Sequence, residues 1–154
     1  MNFADLMLLK WTDIVAGRIH YTRSKTKGKF SIEITDELQE LLDIFKAQNR
    51  NTKYVFPILL HNDLTPKQIV ERKHKVLARV NRKLKELAKL AGVEEHITSY
   101  VARHSFATIL KKMGTSVEAI SELMGHSDVQ ITMTYLKEFD TDFLDQESRK
   151  LSML

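Results

Sequence analysis

The feature that most constrains the fold of this chain is a long basic segment with helical periodicity, at residues 65–92. Thr65 and Gln68 have the spacing of a capping box, Pro66 suits the first helical position, and Gly92 suits a helix end. The segment therefore predicts one long amphipathic helix that packs its apolar side against other elements. The apolar positions on that side are Ile69, Val76, Leu77, Val80, Leu84, Leu87, Leu90 and Ala91.

The same helix concentrates positive charge. It holds nine Lys and Arg against two Glu, so its own net charge is more positive than the +4 of the whole chain. Such a concentration predicts a polyanion as partner, and a solvated helix face is the alternative interpretation. The residues of this helix that we expect to contact DNA are Arg72, Lys73, Lys75, Arg79, Arg82 and Lys83.

Composition narrows the classes of protein to which this chain can belong. A chain of 154 residues, 43% hydrophobic and 29% charged, is typical of one globular domain. The absence of cysteine excludes disulfides and thiolate metal sites and suits a reducing compartment. With no membrane-spanning apolar run and no signal-like start, the sequence predicts a cytoplasmic protein without a membrane partner. Scattered histidines and the lack of a glycine-rich phosphate loop predict no metal, no cofactor and no small-molecule substrate.

Local patterns predict an α+β, mostly helical fold with a small antiparallel β-sheet near the N-terminus. Residues 18–23 and 29–34 alternate as strands around the basic turn at residues 25–28. Helical spacing is found at residues 5–10, after Asp36, at residues 99–113, and in segments that end at Gly125 and Tyr135. Residues 54–60 are apolar and predicted to be buried. The predicted N-caps of three helices are Asp36, Thr115 and Ser127.

The chemistry that the sequence suggests is concentrated at residues 100–135. Arg103 offers a rigid fork of donors that suits a phosphate. His126 follows a glycine, which places it at a helix end, and Tyr135 lies nine residues further on. An anion-binding arginine, a histidine and a tyrosine hydroxyl together suggest phosphoryl transfer with tyrosine as the nucleophile.

These motifs resemble the tyrosine recombinase (phage integrase) family, and the resemblance covers nearly the whole chain. Within that family the likeness is to the Bacteroides-type integrases of conjugative and other mobile elements. The order and spacing of the matching motifs are more specific to the family than any one of these pieces alone. The pieces are Arg103-His104 with Ala107-Thr108, Leu123 to Ser127 with Tyr135, the opening Asp5-Leu6 with residues 9–14, and the hairpin at residues 24–28.

The resemblance implies a catalytic domain that cleaves and rejoins DNA without a divalent metal. Tyr135 would form a 3′-phosphotyrosyl intermediate and release a 5′ hydroxyl. Arg103 would bind the scissile phosphate, and His126 would hydrogen-bond it or assist proton movement. Lys25 matches the family's hairpin lysine, the general acid for the leaving oxygen. Lys27 and Lys29 compete for that role and are also predicted DNA contacts.

Two positions depart from the family pattern. Tyr100 stands where the family has a histidine, three residues before Arg103, and its hydroxyl can donate to a phosphate. Asn2 stands where the family has its first arginine. A replacement arginine is expected either upstream of Met1 or from Arg18 or Arg23. His104 is predicted to be structural, packing behind the site.

The resemblance also implies double-stranded DNA and other protomers as partners, usually as a tetramer on paired sites. The tail, with Phe139, Phe143 and Leu144, is expected to dock either on a neighbouring protomer or on its own domain. Family members usually carry an N-terminal DNA-clamping domain, so residues 1–154 are interpreted as a catalytic domain truncated at its N-terminus. The rival hypotheses are a non-catalytic DNA-binding module of a degenerate integrase and a type IB topoisomerase-like activity.

Overall fold

The chain forms two units of secondary structure, each with its own core. The computed structural model describes residues 1–48, 50–126 and 128–136. Contacts group these residues into Met1–Ser99 and Tyr100–Leu154. The tail residues Phe139, Phe143 and Leu144 lie outside the described residues, so their docking stays a prediction.

The first unit contains a three-stranded antiparallel sheet in the order β1-β2-β3. In the register, Ile19 pairs with Ile32 and Tyr21 with Phe30, so the alternating apolar residues share one face. The two predicted strands are confirmed to within one residue, whereas β1 was missed because two residues are too few to show alternation. The strands are β1 (Ile14–Val15), β2 (Arg18–Thr22) and β3 (Lys29–Glu33).

Three helices and one 3-10 turn complete the first unit. The long basic helix is confirmed, and both halves of its predicted capping box form between Thr65 and Gln68. The first helix begins at Phe3 and ends at Leu8, two residues before the predicted end at Lys10. The elements are α1 (Phe3–Leu8), the 3-10 turn (Trp11–Asp13), α2 (Asp36–Ala47) and α3 (Pro66–Leu90).

The core of this unit forms around a buried segment that is neither helix nor strand. Tyr54 forms an isolated β-bridge with Lys10, and Val55 and Leu59 are fully buried. The predicted burial of residues 54–60 is therefore confirmed for most of the segment and wrong for Pro57 and Leu60, which are exposed. This segment touches two clusters of apolar side chains. One cluster consists of Met7, Tyr54, Ile58 and Leu59. The other consists of Leu9, Ile19, Leu42 and Val55.

The second unit is helical. Its core consists of Ala107, Ile120, Met124 and Leu136, each at most 5% exposed. Glycines with positive φ follow two of its helices, Gly114 at +85° and Gly125 at +67°. The helices are α4 (Val101–Lys112), α5 (Val117–Met124) and α6 (Val129–Tyr135).

Three predicted N-caps were wrong by one residue. The side chains that accept the cap hydrogen bonds are those of Thr35, Ser116 and Asp128. At each site two good capping residues are adjacent, and only the backbone entry angle decides which one takes the extended conformation of an N-cap. The mostly helical α+β fold class is nevertheless confirmed. Among the described residues, no helix has both the length and the apolarity needed to cross a bilayer.

Candidate active site

Arg103 lies in the first turn of α4, and its guanidinium is held at the C-terminal end of α5. Its Nη2 donates to the carbonyl oxygen of Met124 at 2.6 Å. Met124 is the last residue of α5, where carbonyls lack helical partners and the helix dipole favours a cation. The fold therefore orients the guanidinium through a backbone acceptor.

His126 is directed toward this guanidinium by the glycine that precedes it. Gly125 has φ of +67° and ψ of +40°, a left-handed conformation that residues with a Cβ rarely adopt. The His126 N–H then donates to the Ser121 carbonyl at 3.0 Å, which closes the helix end. In this position His126 Nε2 lies 3.1 Å from Arg103 Nη2. The structure thus brings together two residues that the sequence spacing singled out.

A threonine holds the other side of the imidazole. His126 Nδ1 lies 2.8 Å from Thr132 Oγ1, and Thr132 is fully buried in α6. Sequence reasoning missed this residue. Thr132 in α6 and Leu136 at its C-cap are four residues apart and both buried, so helical periodicity was the available signal. Nothing in the local composition separates Thr132 from Thr134.

Tyr135 is the last residue of α6, and the backbone that follows it is tied to α4. Leu136 is buried, and its carbonyl oxygen accepts from Lys111 Nζ at 2.9 Å. Burial lowers the pKa of the Lys111 ammonium group. One unit therefore brings together Arg103, His126 and the helix that ends with Tyr135.

Tyr100 and His104 form a ring pair at the start of α4. Their ring centroids lie 4.9 Å apart in an edge-to-face arrangement at 78°. Tyr100 occupies the N-cap position and is 49% exposed, and His104 is exposed as well. Their roles at a phosphate stay predictions.

In the first unit, the side chain of Asn2 caps a helix. Its Oδ1 accepts the backbone N–H of Asp5 at 2.8 Å, which satisfies one of the free donors at the start of α1. Asn2 therefore contributes an acceptor to the fold, and only its amide hydrogens remain to serve a phosphate. Arg18, one candidate replacement, is bound within the sheet, with Nε 2.7 Å from Ser31 Oγ.

The hairpin that carries Lys25 is anchored by a buried carboxylate. Asp5 is 5% exposed, and its Oδ1 accepts the Ser24 N–H at 2.9 Å. Its Oδ2 is buried without a hydrogen-bond partner among the described residues. The turn itself is closed by the Arg23 N–H, which donates to the Gly28 carbonyl at 2.8 Å. Sequence reasoning noted Asp5 only as part of a motif and missed this contact.

The lysines of the hairpin are accessible. Lys25 and Lys27 lie in the turn and Lys29 begins β3, and all three are exposed. Lys27 has φ of +58°, a left-handed conformation that marks a tight turn. Arg23, the second candidate replacement arginine, is partly buried at the base of the hairpin. The assignment of a general acid among the three lysines stays a prediction.

The predicted DNA-contacting residues of α3 differ in their surroundings. Arg72 Nε donates to the Ile58 carbonyl at 2.8 Å, so this side chain braces the core segment. Lys83 pairs with Glu86 at 2.6 Å, and this hydrogen bond lowers the pKa of the Glu86 carboxyl. Lys73 is partly buried, whereas Lys75, Arg79 and Arg82 are exposed. The exposed members form the accessible part of the basic face.

No group of three or more His, Asp or Glu side chains that could hold a metal ion occurs in residues 1–48, 50–126 and 128–136. The positive groups described above are arginine and lysine side chains. The Arg103 guanidinium can bind an anion through charge-assisted hydrogen bonds, and the imidazole of His126 lies beside it.

A sequence profile of the phage integrase family matches residues 1–141. One relative, an integrase/recombinase of Escherichia coli, is 34% identical over 120 residues. That match covers 77% of this chain and 35% of the relative. The chain thus spans about a third of the length of that relative.

Solved structures agree in fold. The XerA recombinase superposes with a TM-score of 0.70 at 19% identity, over 97% of this chain and 53% of that one. The XerH site-specific recombinase bound to palindromic difH substrate, in a post-cleavage complex, gives a TM-score of 0.65 at 19% identity. It covers 92% of this chain and 39% of that one. At these identities the likeness establishes the fold.

Proposed function

Because this chain belongs to the phage integrase family, we propose that it cleaves and rejoins double-stranded DNA as the catalytic part of a tyrosine site-specific recombinase. The observation that carries the proposal is the Arg103–His126 pair, with 3.1 Å between Nη2 and Nε2. Its neighbouring helix α6 ends with Tyr135. An oriented guanidinium, an imidazole and a tyrosine are the groups that a metal-free phosphodiester transfer needs.

Arg103 is the proposed phosphate anchor. Both of its described contacts use Nη2. The proposal assigns a hydrogen of Nη1 or Nε to a nonbridging oxygen of the scissile phosphate, as a charge-assisted hydrogen bond. Because the Met124 carbonyl already orients the group, little reorganisation accompanies the build-up of charge on that oxygen.

The proposed chemistry is a transesterification in two steps. The Tyr135 hydroxyl oxygen attacks phosphorus, its proton passes to solvent, and the bond to the 5′ oxygen breaks. Lys25 donates a proton to that leaving oxygen. The 5′ hydroxyl of a partner strand then attacks the phosphotyrosyl bond and releases Tyr135. One P–O bond forms and one breaks in each step, so no energy source is required.

The proposed partners are double-stranded DNA and further copies of the protein. The XerH relative in fold was solved on its DNA substrate, and the basic helix α3 provides exposed cations for phosphates. We place the protein in the cytoplasm, acting as a tetramer on paired sites. We further assign it to a mobile element.

A covalent adduct tests the proposal. The chain is incubated with a nicked suicide duplex that carries an end of the DNA element encoding it, and denaturing electrophoresis detects a protein–DNA band. We expect the band for the natural chain, its loss in Tyr135→Phe, and its retention in Tyr54→Phe. Tyr54 is the matched control, since it is a buried core tyrosine.

Each other outcome contradicts a stated part of the proposal. A band that persists in Tyr135→Phe would assign the nucleophile elsewhere. DNA binding in a mobility-shift assay without any adduct would instead support the non-catalytic module. Relaxation of supercoiled plasmid without exchanged products would indicate the topoisomerase-like activity.

A further inference from the structure

We propose that Thr132 is a positioning residue that accepts from the Nδ1–H of His126 and so stabilises the tautomer whose Nε2 lone pair is directed at Arg103. This inference rests on the proposed function for its consequence, since it concerns the position of Arg103, the proposed phosphate anchor. Its geometric basis is independent of DNA. It consists of two contacts on one ring, one at each nitrogen.

The first contact decides which nitrogen lacks a proton. A guanidinium has hydrogen-bond donors and no acceptor. The 3.1 Å approach of Arg103 Nη2 to His126 Nε2 is therefore favourable only when Nε2 offers a lone pair. A hydrogen on Nε2 would place two donors, and two positive partial charges, against each other.

The second contact decides where the proton is. In a neutral imidazole one nitrogen donates and the other accepts, and the hydrogen bond at one nitrogen determines the state of the other. With Nε2 as acceptor, Nδ1–H donates to Thr132 Oγ1 at 2.8 Å. Thr132 is 0% exposed, so water cannot replace the hydroxyl as acceptor.

Thr132 is otherwise an unusual residue for its place in the fold. It is the one polar residue among the largest fully buried side chains of the described residues. Burying a hydroxyl is unfavourable unless a hydrogen bond compensates, and His126 Nδ1 supplies that bond. A valine would fill the same volume without this cost. The hydroxyl is therefore explained by its contact with the ring.

The consequence for the reaction concerns the position of the Arg103 guanidinium. An Nε2 lone pair accepts from Arg103 Nη2 and so helps to hold the guanidinium in place, whereas an Nε2–H would repel it. Thr132 touches neither phosphate nor nucleophile in this scheme. It acts through the ring of His126, so its loss should lower the rate of cleavage without abolishing DNA binding.

Nuclear magnetic resonance of the DNA-free protein tests the tautomer directly. Long-range nitrogen–proton correlations of the His126 ring distinguish Nδ1–H from Nε2–H. We expect Nδ1–H in the natural chain and in Thr132→Ser, which keeps the hydroxyl, and an increased Nε2–H population in Thr132→Val and Thr132→Ala. Thr134→Val is the matched control, because Thr134 lies on the same helix, is exposed, and donates to Gln130.

The same variants are then assayed for adduct formation. We expect Thr132→Val to slow it by roughly 10- to 100-fold, the range found when the partner that orients a metal-bound histidine is removed, and Thr132→Ser to restore most of the rate. An unchanged tautomer in folded Thr132→Val or Thr132→Ala, or an unchanged rate beside a changed tautomer, would overturn the inference. A natural chain that forms no adduct but shows the expected tautomers would contradict the proposed function alone.

Discussion

At the scale of single residues, the side chain of Asn2 already makes a hydrogen bond within the DNA-free fold. The sequence comparison predicts that it stands at the family's first arginine, and its oxygen accepts the Asp5 N–H. An arginine at this position would supply charge but no cap acceptor. The asparagine therefore contributes to the stability of α1.

Two Asn2 variants separate these roles. We expect Asn2→Ala to lower the free energy of unfolding by about 0.5–2 kcal/mol, because it removes the cap, and Asn2→Asp to change it little, because aspartate caps equally well. Urea denaturation measures both. An Asn2→Ala protein as stable as the natural chain would contradict the capping role. A selective loss of DNA affinity in Asn2→Asp would indicate that the residue also faces phosphate.

The proposed role of Arg103 depends on the planar shape of its guanidinium as well as on its charge. We expect Arg103→Lys to reduce the rate of adduct formation by about 10²- to 10³-fold, because an ammonium group lacks the rigid planar fork that can donate to the Met124 carbonyl, to His126 and to a phosphate at once. Arg79→Lys, a change of the same kind at an exposed helix position, is the control and should leave the rate within a few fold. Equal effects of the two changes would argue against a special role for Arg103.

The candidate site was predictable from sequence only where residues act through recognisable spacing. Arg103 and His126 were found that way, and the structure brings them together. Thr132 was not, since its partner is set by the turn at Gly125 and by burial, both of which are tertiary properties. The roles of Lys25, Tyr135 and the DNA-contacting residues stay predictions.

At the scale of elements, the hairpin between β2 and β3 depends on a residue far from its own strands. Asp5, at the start of α1, accepts the Ser24 N–H and thereby connects the first helix to the turn that carries Lys25. This buried acceptor limits how the hairpin can move at its base. The exposed tip remains able to reach a ligand.

Removing the Asp5 carboxylate should release the hairpin. We expect Asp5→Ala to speed hydrogen exchange at the Ser24 amide and to lower the free energy of unfolding by about 1–3 kcal/mol, since the Ser24 N–H loses a charged, buried acceptor. Asp5→Asn is the control, as its amide oxygen can still accept. An unchanged Ser24 exchange rate in Asp5→Ala would show that the turn is held by its own backbone hydrogen bonds.

The elements that sequence reasoning located share strong local signals. Helix α3 has a complete capping box and a long apolar stripe, and β2 and β3 alternate clearly. The missed β1 and the displaced caps at Thr35, Ser116 and Asp128 have weak or competing signals. The buried segment at residues 54–60 was recognised by its apolar content, but its form depends on neighbours distant in sequence.

At the scale of the whole molecule, charge and chemistry lie on different units. The basic helix α3 and the Lys25 hairpin belong to Met1–Ser99, and the Arg103–His126 pair belongs to Tyr100–Leu154. The sequence predicted one domain over residues 1–154, and that boundary stays a prediction. Membership of the phage integrase family, also predicted, is confirmed over residues 1–141.

The salt dependence of DNA binding tests the basic face. We expect a combined Lys75→Ala, Arg79→Ala and Arg82→Ala variant to bind duplex DNA more weakly, because these exposed side chains would neutralise phosphates. The slope of log affinity against log salt should fall by about 0.9 for each phosphate that is no longer neutralised. Fluorescence anisotropy over a salt series measures this slope, and Lys46→Ala on α2 is the control. An unchanged slope would identify α3 as an ordinary solvated helix.

The hydrogen bond from Arg103 to the Met124 carbonyl has a consequence for sequence drift. Its acceptor is part of the main chain, so no codon change at that position removes the oxygen itself. Side chains of α5 can vary across generations while the guanidinium keeps its anchor, provided that the helix still ends at Gly125. Evolutionary tolerance should therefore be high along the exposed side of α5, at Glu122 and Leu123, and low at the glycine.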